Sequence, residues 1–270
     1  MRQKGMIRTQ PETRIATWNL LAPEYVRVEG GRDFYRDVHP WDEWDRRRPR
    51  ILQDVSVLAD SADLLCLQEV SEPFWREALA GALEESGFAS ASEFDPRYRV
   101  GVALAWRRSV FALERETAKY PHPEAQRGRI VAQQIRHLRG GHSMRAASAH
   151  LKWSPSADER RTTLDEAISR VSRGDAVDAE VLVGDLNFDP KAHDAWPAWA
   201  ALGWRTTHPE DTAPTWAADG RCDRLDAILY RGGLRGIHDE PLARISAAPG
   251  LPSAEMPSDH IPLIAHLTTE

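Results

Sequence analysis

Six apolar runs in the sequence end, at or near an edge, in a side chain able to hold a metal ion or a phosphate. IATWNLL carries Asn19, LLCLQEV carries Glu69 and MRAASAHL carries His150. VLVGDLN carries Asp185 and Asn187, RLDAILY carries Asp226, and PSDHIPLIAHL carries Asp259 and His260. A buried carboxylate is costly unless it is paired or coordinates a cation, so several converging on one sheet edge imply a cation or a shared proton. Asn19 and Asn187 are the only two asparagines in the chain, and both fall in these segments. For either alone, the plain alternative is a turn residue hydrogen-bonding its own backbone.

Attack of water on a phosphate ester requires a cation on the phosphoryl oxygens, a base for the water and hydrogen-bond donors for the developing charge. Glu69 suits the metal, with Asn19 and Asp259 as further oxygen donors or outer partners. Asp185 suits the water and Asn187 can donate its amide to the phosphate. His150 and His260 suit transition-state stabilisation, and Asp226 beside either would fix an imidazole and favour its charged form. Oxygen donors with two histidines and no cysteine favour Mg²⁺ or Mn²⁺ over zinc. Nucleotide-loop, zincin and hydrolase-elbow signatures are absent from the sequence. Ser258, Asp259 and His260 have the lettering of a serine triad, but neighbours in an extended segment point to opposite sides and cannot form the relay.

These groups meet only if the elements carrying them converge. Strands are expected at Arg14 to Leu21, Asp63 to Val70, Val100 to Arg107, Ile130 to Ile135, Ser143 to Leu151, Glu180 to Leu186, Leu225 to Tyr230 and Ile261 to Leu267. Helices are expected at roughly Trp44 to Ala59, Pro73 to Ser86, Asp158 to Ser172 and His193 to Leu202. Pro49 argues that the first begins near Arg48, and Ser156 or Asp158 can cap the third. Asp226, Asp259 and His260 lie at strand beginnings, whereas Asn19, Glu69, His150, Asp185 and Asn187 lie at strand ends. If the first kind of strand runs antiparallel to the second, every group gathers at one edge. Interleaved helices and strands in the first half and consecutive strands from Phe88 to Leu151 predict an α/β sandwich, two mixed sheets packed face to face with helices outside. A doubly wound parallel sheet is the alternative. With no internal repeat or linker, the chain reads as an N-terminal tail, 1–12, and a single domain, 13–270.

The net charge of -6 offers no footprint for long duplex DNA, so nucleic-acid contact must be local. Basic residues cluster at Arg46, Arg47, Arg48 and Arg50, at Arg127 and Arg129, and at Arg160 and Arg161, and a solvated face is the plain reading of each. Arg129 and Arg160 are candidate substrate contacts, and Trp153 and Trp216 candidate stacking platforms, with Tyr25 and Trp41 in the loop after Asn19. Core packing is the alternative for any tryptophan; Trp18, Trp75 and Trp106 are assigned to the core. A mean hydropathy of -0.52 and no apolar run of bilayer length argue against a membrane-spanning helix, and without a signal-like start the expected location is cytoplasmic. Cys66 and Cys222 cannot build a disulfide framework, and Cys66 reads as a buried thiol.

The ordered set TWNLLA, LQEV, SAHL, GDLNFDP, RLDAILY and SDHIPL resembles the endonuclease/exonuclease/phosphatase superfamily of metal-dependent phosphoesterases, over almost the whole chain. The resemblance implies Asn19 and Glu69 at the metal, His150 at the phosphate, Asp185 and Asn187 as a water-orienting pair, and Asp226, Asp259 and His260 completing the site. TWNLLAPEY, WDEWDRRRPRIL and PSDHIPLIAHL are most similar to the branch containing nocturnin, the Angel proteins and the poly(A) deadenylases. The resemblance implies a four-layered α/β sandwich, and that branch implies a 3′ exonuclease or a phosphatase of terminal or 2′,3′-cyclic phosphate, acting on single-stranded RNA 3′ ends; the chain is expected to act as a monomer. Two departures stand out. Leu21 and Ala22 occupy the place of a second acidic residue found in many relatives, and Thr162 and Thr163 stand where a glutamine often follows the arginine. A DNA repair phosphodiesterase, a small-molecule phosphatase and a non-catalytic binding module are the alternatives.

Overall fold

The computed structural model describes residues 12–26, 44–115, 128–208, 213–218, 220–239 and 250–269. Trp41, Arg127 and most of the expected tail lie outside the described residues. The strands of the first half are β1 (Glu12–Asn19), β2 (Leu64–Ser71), β3 (Phe88–Phe94), β4 (Val100–Arg107), β5 (Phe111–Arg115), β6 (Gly128–His137) and β7 (Ser143–Leu151). The second half supplies β8 (Ala179–Asp185), β9 (Arg205–Thr206), β10 (Trp216–Ala218), β11 (Arg221–Asp223), β12 (Asp226–Gly232), β13 (Leu234–Asp239) and β14 (Leu263–Thr269). One six-stranded sheet has the order β13-β14-β1-β2-β4-β3 and the other β5-β6-β7-β8-β12-β9, with β10 and β11 forming a separate hairpin. Both sheets are mixed, because β1 and β2 pair parallel, as do β7 and β8, among otherwise antiparallel neighbours.

Three apolar clusters fill the spaces between four layers. Ile15, Leu64, Cys66, Leu104, Val131, Val181, Val183, Ile228 and Leu263 form the inner core between the sheets. Alternate residues of the same strands, among them Trp18, Leu65 and Leu67, meet Ile51, Val55, Phe74 and Leu83 from helices outside the first sheet. Ala147, Leu182 and Leu229 meet Leu164, Ile168 and Trp199 outside the second. This is the expected sandwich, and period-two alternation of apolar residues on both faces is what makes each strand legible. Trp18, Trp75 and Trp106 are buried, and burial pushes the Cys66 thiol upward. Among the described residues no helix is long and apolar enough to cross a membrane.

The differences from the sequence reading have local causes. The first long helix spans Trp44–Ser61 with Pro49 inside it, a turn earlier than expected. Proline removes one i to i-4 bond, but the preceding turn is tied down by Trp44, edge-on to Phe74 at 5.3 Å, and by the buried Arg47. The fourth helix shrinks to Trp196–Ala201, because His193 Nδ1 accepts the Ala195 N–H and its Nε2 meets the Ala157 carbonyl, closing a turn instead. β14 starts at Leu263, past Pro262, which has no N–H for the ladder. The third helix, Ala157–Val171, is capped by Ser156, which accepts the Glu159 N–H.

One polar tie joins the two sheets through the core. Thr17 Oγ1 donates to Gln68 Oε1 (3.1 Å) and Gln68 Nε2 donates to Ser148 Oγ (3.0 Å), linking β1 and β2 to β7. Gly184 makes room for it: at φ 142°, a Cβ there would lie 2.0 Å from the Ala149 carbonyl oxygen and 2.9 Å from Gln68 Nε2. Gly184→Ala is therefore expected to lose about 2–3 kcal/mol, a fall of roughly 5–10 °C in thermal midpoint by calorimetry. An unchanged midpoint would show that the sheets part at no cost.

Candidate active site

Strand register brings the predicted residues to one edge. β7 and β8 set His150 beside Asp185, and antiparallel β8 and β12 set Asp185 beside Asp226. In the other sheet Asn19 stands beside Gln68. β14 runs antiparallel to β1, so the segment just before it, with Asp259 and His260, arrives where β1 finishes. The opposition of strand directions that the sequence required is present in both sheets.

Glu69 reaches the site through an irregularity. Alternation along β2 sends Leu67 outward and Gln68 inward, and would send Glu69 out to the helix layer. The register against β4 shifts between Leu67 and Val70, and Glu69 adopts φ 47°, which turns its carboxylate to the edge. Leu21 (φ 53°) and Asn187 (φ 59°) share this left-handed conformation, so three of the four non-glycine residues with positive φ among those described adjoin the site. Such strain persists where surrounding contacts over-determine it.

Asn19 lies at the centre. Its Nδ2 donates to Glu69 Oε1 (3.1 Å) and Asp185 Oδ2 (2.9 Å), while its Oδ1 accepts the Leu21 N–H (3.0 Å). His150 Nε2 lies 3.8 Å from Glu69 Oε1 and 3.6 Å from Asp185 Oδ2. His260 Nε2 lies 3.7 Å from the same Asp185 oxygen, and its Nδ1 donates to Asp226 Oδ2 at 2.8 Å. Asn187 gives its backbone N–H to Asp185 Oδ1 (2.8 Å) and its side-chain amide to the Leu151 carbonyl (2.7 Å), so that amide here joins the ends of β7 and β8.

The charges are unequal to begin with: Glu69, Asp185, Asp226 and Asp259 face two imidazoles. Burial pushes the Glu69 carboxyl above its ordinary range, and Asp259 adds to the rise against His150, Asn19 and His260. Burial raises Asp226 too, and its Oδ1 is buried with no hydrogen-bond partner among the described residues. Burial opposes charge on His260, yet the carboxylates of Asp226, Asp259 and Asp185 outweigh it and hold the imidazole well above its ordinary range. The pair keeps its proton on His260. Ligand atoms of Glu69, His150 and Asp185 lie within 4.8 Å of one another. Oxygen-rich donors, an excess of buried negative charge and no thiol fit a hard divalent cation.

The candidate substrate residues take different places. Trp153 is 61% exposed just past His150. Its turn is braced by Ser154 Oγ donating to Glu159 Oε2 (2.6 Å) and by Arg160 Nη1 donating to the Ser154 carbonyl (2.8 Å). Arg160 thus braces the turn that follows Trp153. Arg129 faces His150 across β6 and β7 and pairs with Asp95. Trp216 is half-buried, with its Nε1 donating to Asp259 Oδ2 (2.7 Å) and Arg221 stacked 5.4 Å over its ring, so it holds a carboxylate in place.

Sequence reasoning missed the supporting residues. Arg47, read as part of a basic cluster, is buried and donates to the carbonyls of Leu20 (3.3 Å), Leu21 (2.8 Å) and Pro257 (3.0 Å). It clamps the loop after Asn19 to the one before Asp259. Its spacing to Ile51, Val55 and Leu58 on one helix face was the available signal. Ser258 Oγ donates to the Asn19 carbonyl (2.6 Å), and Thr215 Oγ1 accepts the Leu225 and Asp226 N–H groups (3.0 and 3.1 Å).

The sequence profile of the Endonuclease/Exonuclease/phosphatase family matches residues 16–260, and the chain belongs to that family. It is a hydrolase, a phosphoesterase of a metal-dependent family. Among solved structures it is similar to ANGEL2, a 2′,3′-cyclic phosphatase, in complex with adenosine-2′,3′-vanadate: TM-score 0.79 at 19% identity, covering 96% of each chain. The human Nocturnin catalytic domain with bound sulfate gives 0.70 at 22% identity, over 96% of this chain and 94% of that one. D. rerio TDP2 complexed with a single-strand DNA product gives 0.67 at 15%, over 96% and 99%. No curated protein sequence matches the chain.

If Asp226 holds the proton on His260, Asp226→Asn releases it. His260 should then titrate lower, held up only by Asp259 and Asp185, as read from imidazole ¹⁵N chemical shifts. An unmoved titration would remove Asp226 from that role.

Proposed function

We propose that the protein hydrolyses phosphoesters at single-stranded RNA 3′ ends, as a 3′ exonuclease or as a phosphatase of terminal or 2′,3′-cyclic phosphate, using Mg²⁺ or Mn²⁺. The proposal treats residues 13–270 as one domain acting as a monomer. The observation that carries it is the meeting of His150, Asp185 and His260 around one carboxylate oxygen, with Glu69 alongside. That ANGEL2 is a 2′,3′-cyclic phosphatase with adenosine-2′,3′-vanadate in its structure supports a ribose end as the substrate.

Glu69 would hold the cation with Asp259 beside it, and the bound ion would supply positive charge to the phosphoryl oxygens and the leaving oxygen. Asn19, whose Oδ1 is taken by the Leu21 N–H, would orient Glu69 through its Nδ2 instead of ligating. Asp185 accepts a proton from the attacking water while Asn19 and the Asn187 N–H keep its carboxylate aimed. His260, held charged by Asp226, and His150 donate to the phosphoryl oxygens as negative charge develops. Asn187 acts here through Asp185 and the β7 terminus, and its side-chain amide serves the phosphate only after leaving Leu151.

Glu69→Gln is expected to lower metal-stimulated turnover by about 100-fold or more with circular dichroism and thermal midpoint preserved. Full retained activity would overturn the mechanism. The substrate is tested with 5′-labelled single-stranded RNA ending in hydroxyl, 3′-phosphate or 2′,3′-cyclic phosphate, with Mg²⁺ or Mn²⁺ and with a chelator. A ladder means an exonuclease, and a mobility change without shortening means a phosphatase. Chelation should abolish either. Turnover of damaged DNA or small phosphate esters with every RNA left intact would replace the RNA reading.

A further inference from the structure

Among the described residues two aromatic side chains are exposed, Trp153 at 61% and Tyr98 at 59%, and both stand at the edge that carries the site. Trp153 follows His150. Tyr98 lies in the turn between β3 and β4, where Val100 pairs with Ser71 and the Glu72 N–H donates to the Arg99 carbonyl (2.8 Å), immediately past Glu69. Arg129 lies directly opposite His150 on the neighbouring strand and therefore on the same sheet face.

A single buried carboxylate organises this flank. Asp95 is only 3% exposed, and its Oδ1 accepts the N–H groups of Arg97 (2.7 Å) and Tyr98 (3.4 Å) while its Oδ2 pairs with Arg129. The same group thus shapes the turn that presents Tyr98 and draws the Arg129 guanidinium towards that turn. Burial works against its charge, but the Arg97 N–H and Arg129 outweigh it and keep the carboxyl below its ordinary range. Tyr25 stands among these groups: burial and Glu69 push its phenol upward, and Arg129 opposes them.

A buried ion pair is a poor source of net stability, because desolvation offsets its attraction. It does fix direction, and a planar guanidinium has five N–H donors, of which one carboxylate oxygen uses few. An exposed aromatic ring beside a held arginine is the pairing that binds a nucleotide, the ring taking a base and the cation a phosphate.

We propose that Tyr98 and Arg129, organised by Asp95, form a nucleotide subsite beside the hydrolytic centre, Arg129 taking the phosphate next to the one hydrolysed and Tyr98 stacking on its base. This rests on the reading of the substrate as a nucleic-acid end and extends it: the enzyme discriminates an oligonucleotide from a mononucleotide with the same terminus.

The test compares kcat/KM for adenosine 2′,3′-cyclic phosphate with that for a short single-stranded RNA bearing the same cyclic end, or the corresponding 3′-terminated pair if that is the active form. In Tyr98→Ala and Arg129→Met the ratio favouring the oligonucleotide should fall roughly tenfold, carried by KM. An equal change on both substrates, or none on either, overturns the subsite. Anisotropy of the labelled RNA on the Glu69→Gln protein needs no turnover. Adding Tyr98→Ala or Arg129→Met should weaken binding, and Arg129→Met should flatten the dependence of log affinity on log salt by about 0.7. If the wild type hydrolyses no RNA while these binding losses appear, the functional reading falls and the subsite stands. RNA that binds all variants alike, or binds none, overturns the subsite.

Discussion

One amide separates two carboxylates, one buried and one half-buried, that would otherwise repel each other. Glu69 and Asp185 offer ligand atoms within 4.8 Å of one another, a separation that costs about 3–4 kcal/mol for two full charges at an effective dielectric near 20. Asn19 lies between them, with a donor on each. Its orientation is fixed from behind, since Oδ1 is occupied by the Leu21 N–H, so the amide cannot flip without setting an oxygen against two carboxylates. Aspartate in its place would add a third negative charge where the balance is already unfavourable. The rest of the edge is arranged to keep this amide, and with it both carboxylates, in position.

That arrangement draws on both sheets and on the loops that join them. Arg47 binds the carbonyls beyond Asn19 to Pro257, Ser258 donates to the Asn19 carbonyl, and the Trp18 indole donates to the His260 carbonyl at 2.9 Å. The loop bearing Asp259 and His260 is thereby fastened to the end of β1 by contacts between residues 210 to 242 positions apart in sequence. Across the sandwich, Gln68 and Ser148 fix how far β2 stands from β7, and hence how far Glu69 stands from His150. The left-handed backbone at Leu21, Glu69 and Asn187 is sustained by these contacts. Local strain at each strand end is offset by the packing of a large four-layered core.

Much of this was legible because catalytic groups interrupt apolar strands. A polar residue in LLCLQEV or VLVGDLN has no packing reason to be there, and the sandwich follows from strands apolar on both faces. The terminal residues were harder. β9, β10 and β11 are two or three residues long, too short for alternation to register. Trp216 is aromatic like a stacking platform, yet only the fold reveals that its indole N–H faces Asp259. Arg47 was hidden by its neighbours Arg46, Arg48 and Arg50, although helical spacing places it on the buried stripe with Ile51 and Val55. Charge lettering describes composition; burial of an arginine is decided by which carbonyls remain unpaired around it, and those belong to distant loops.

Asp95 and Asp226 illustrate why buried carboxylates have to be read by their partners. Both are nearly inaccessible, and burial opposes the charge on each. Asp95 has two backbone N–H groups and an arginine, and stays ionised below its ordinary range. Asp226 has one imidazole and an orphaned Oδ1, and is pushed upward while the imidazole takes the proton. The first holds a permanent cation that cannot lose its charge, which suits binding. The second holds a cation that can, which suits a group donating to a phosphate as charge develops. The same residue type thus serves recognition on one flank of the edge and chemistry at its centre, and the distinction lies in the donors that each strand end supplies.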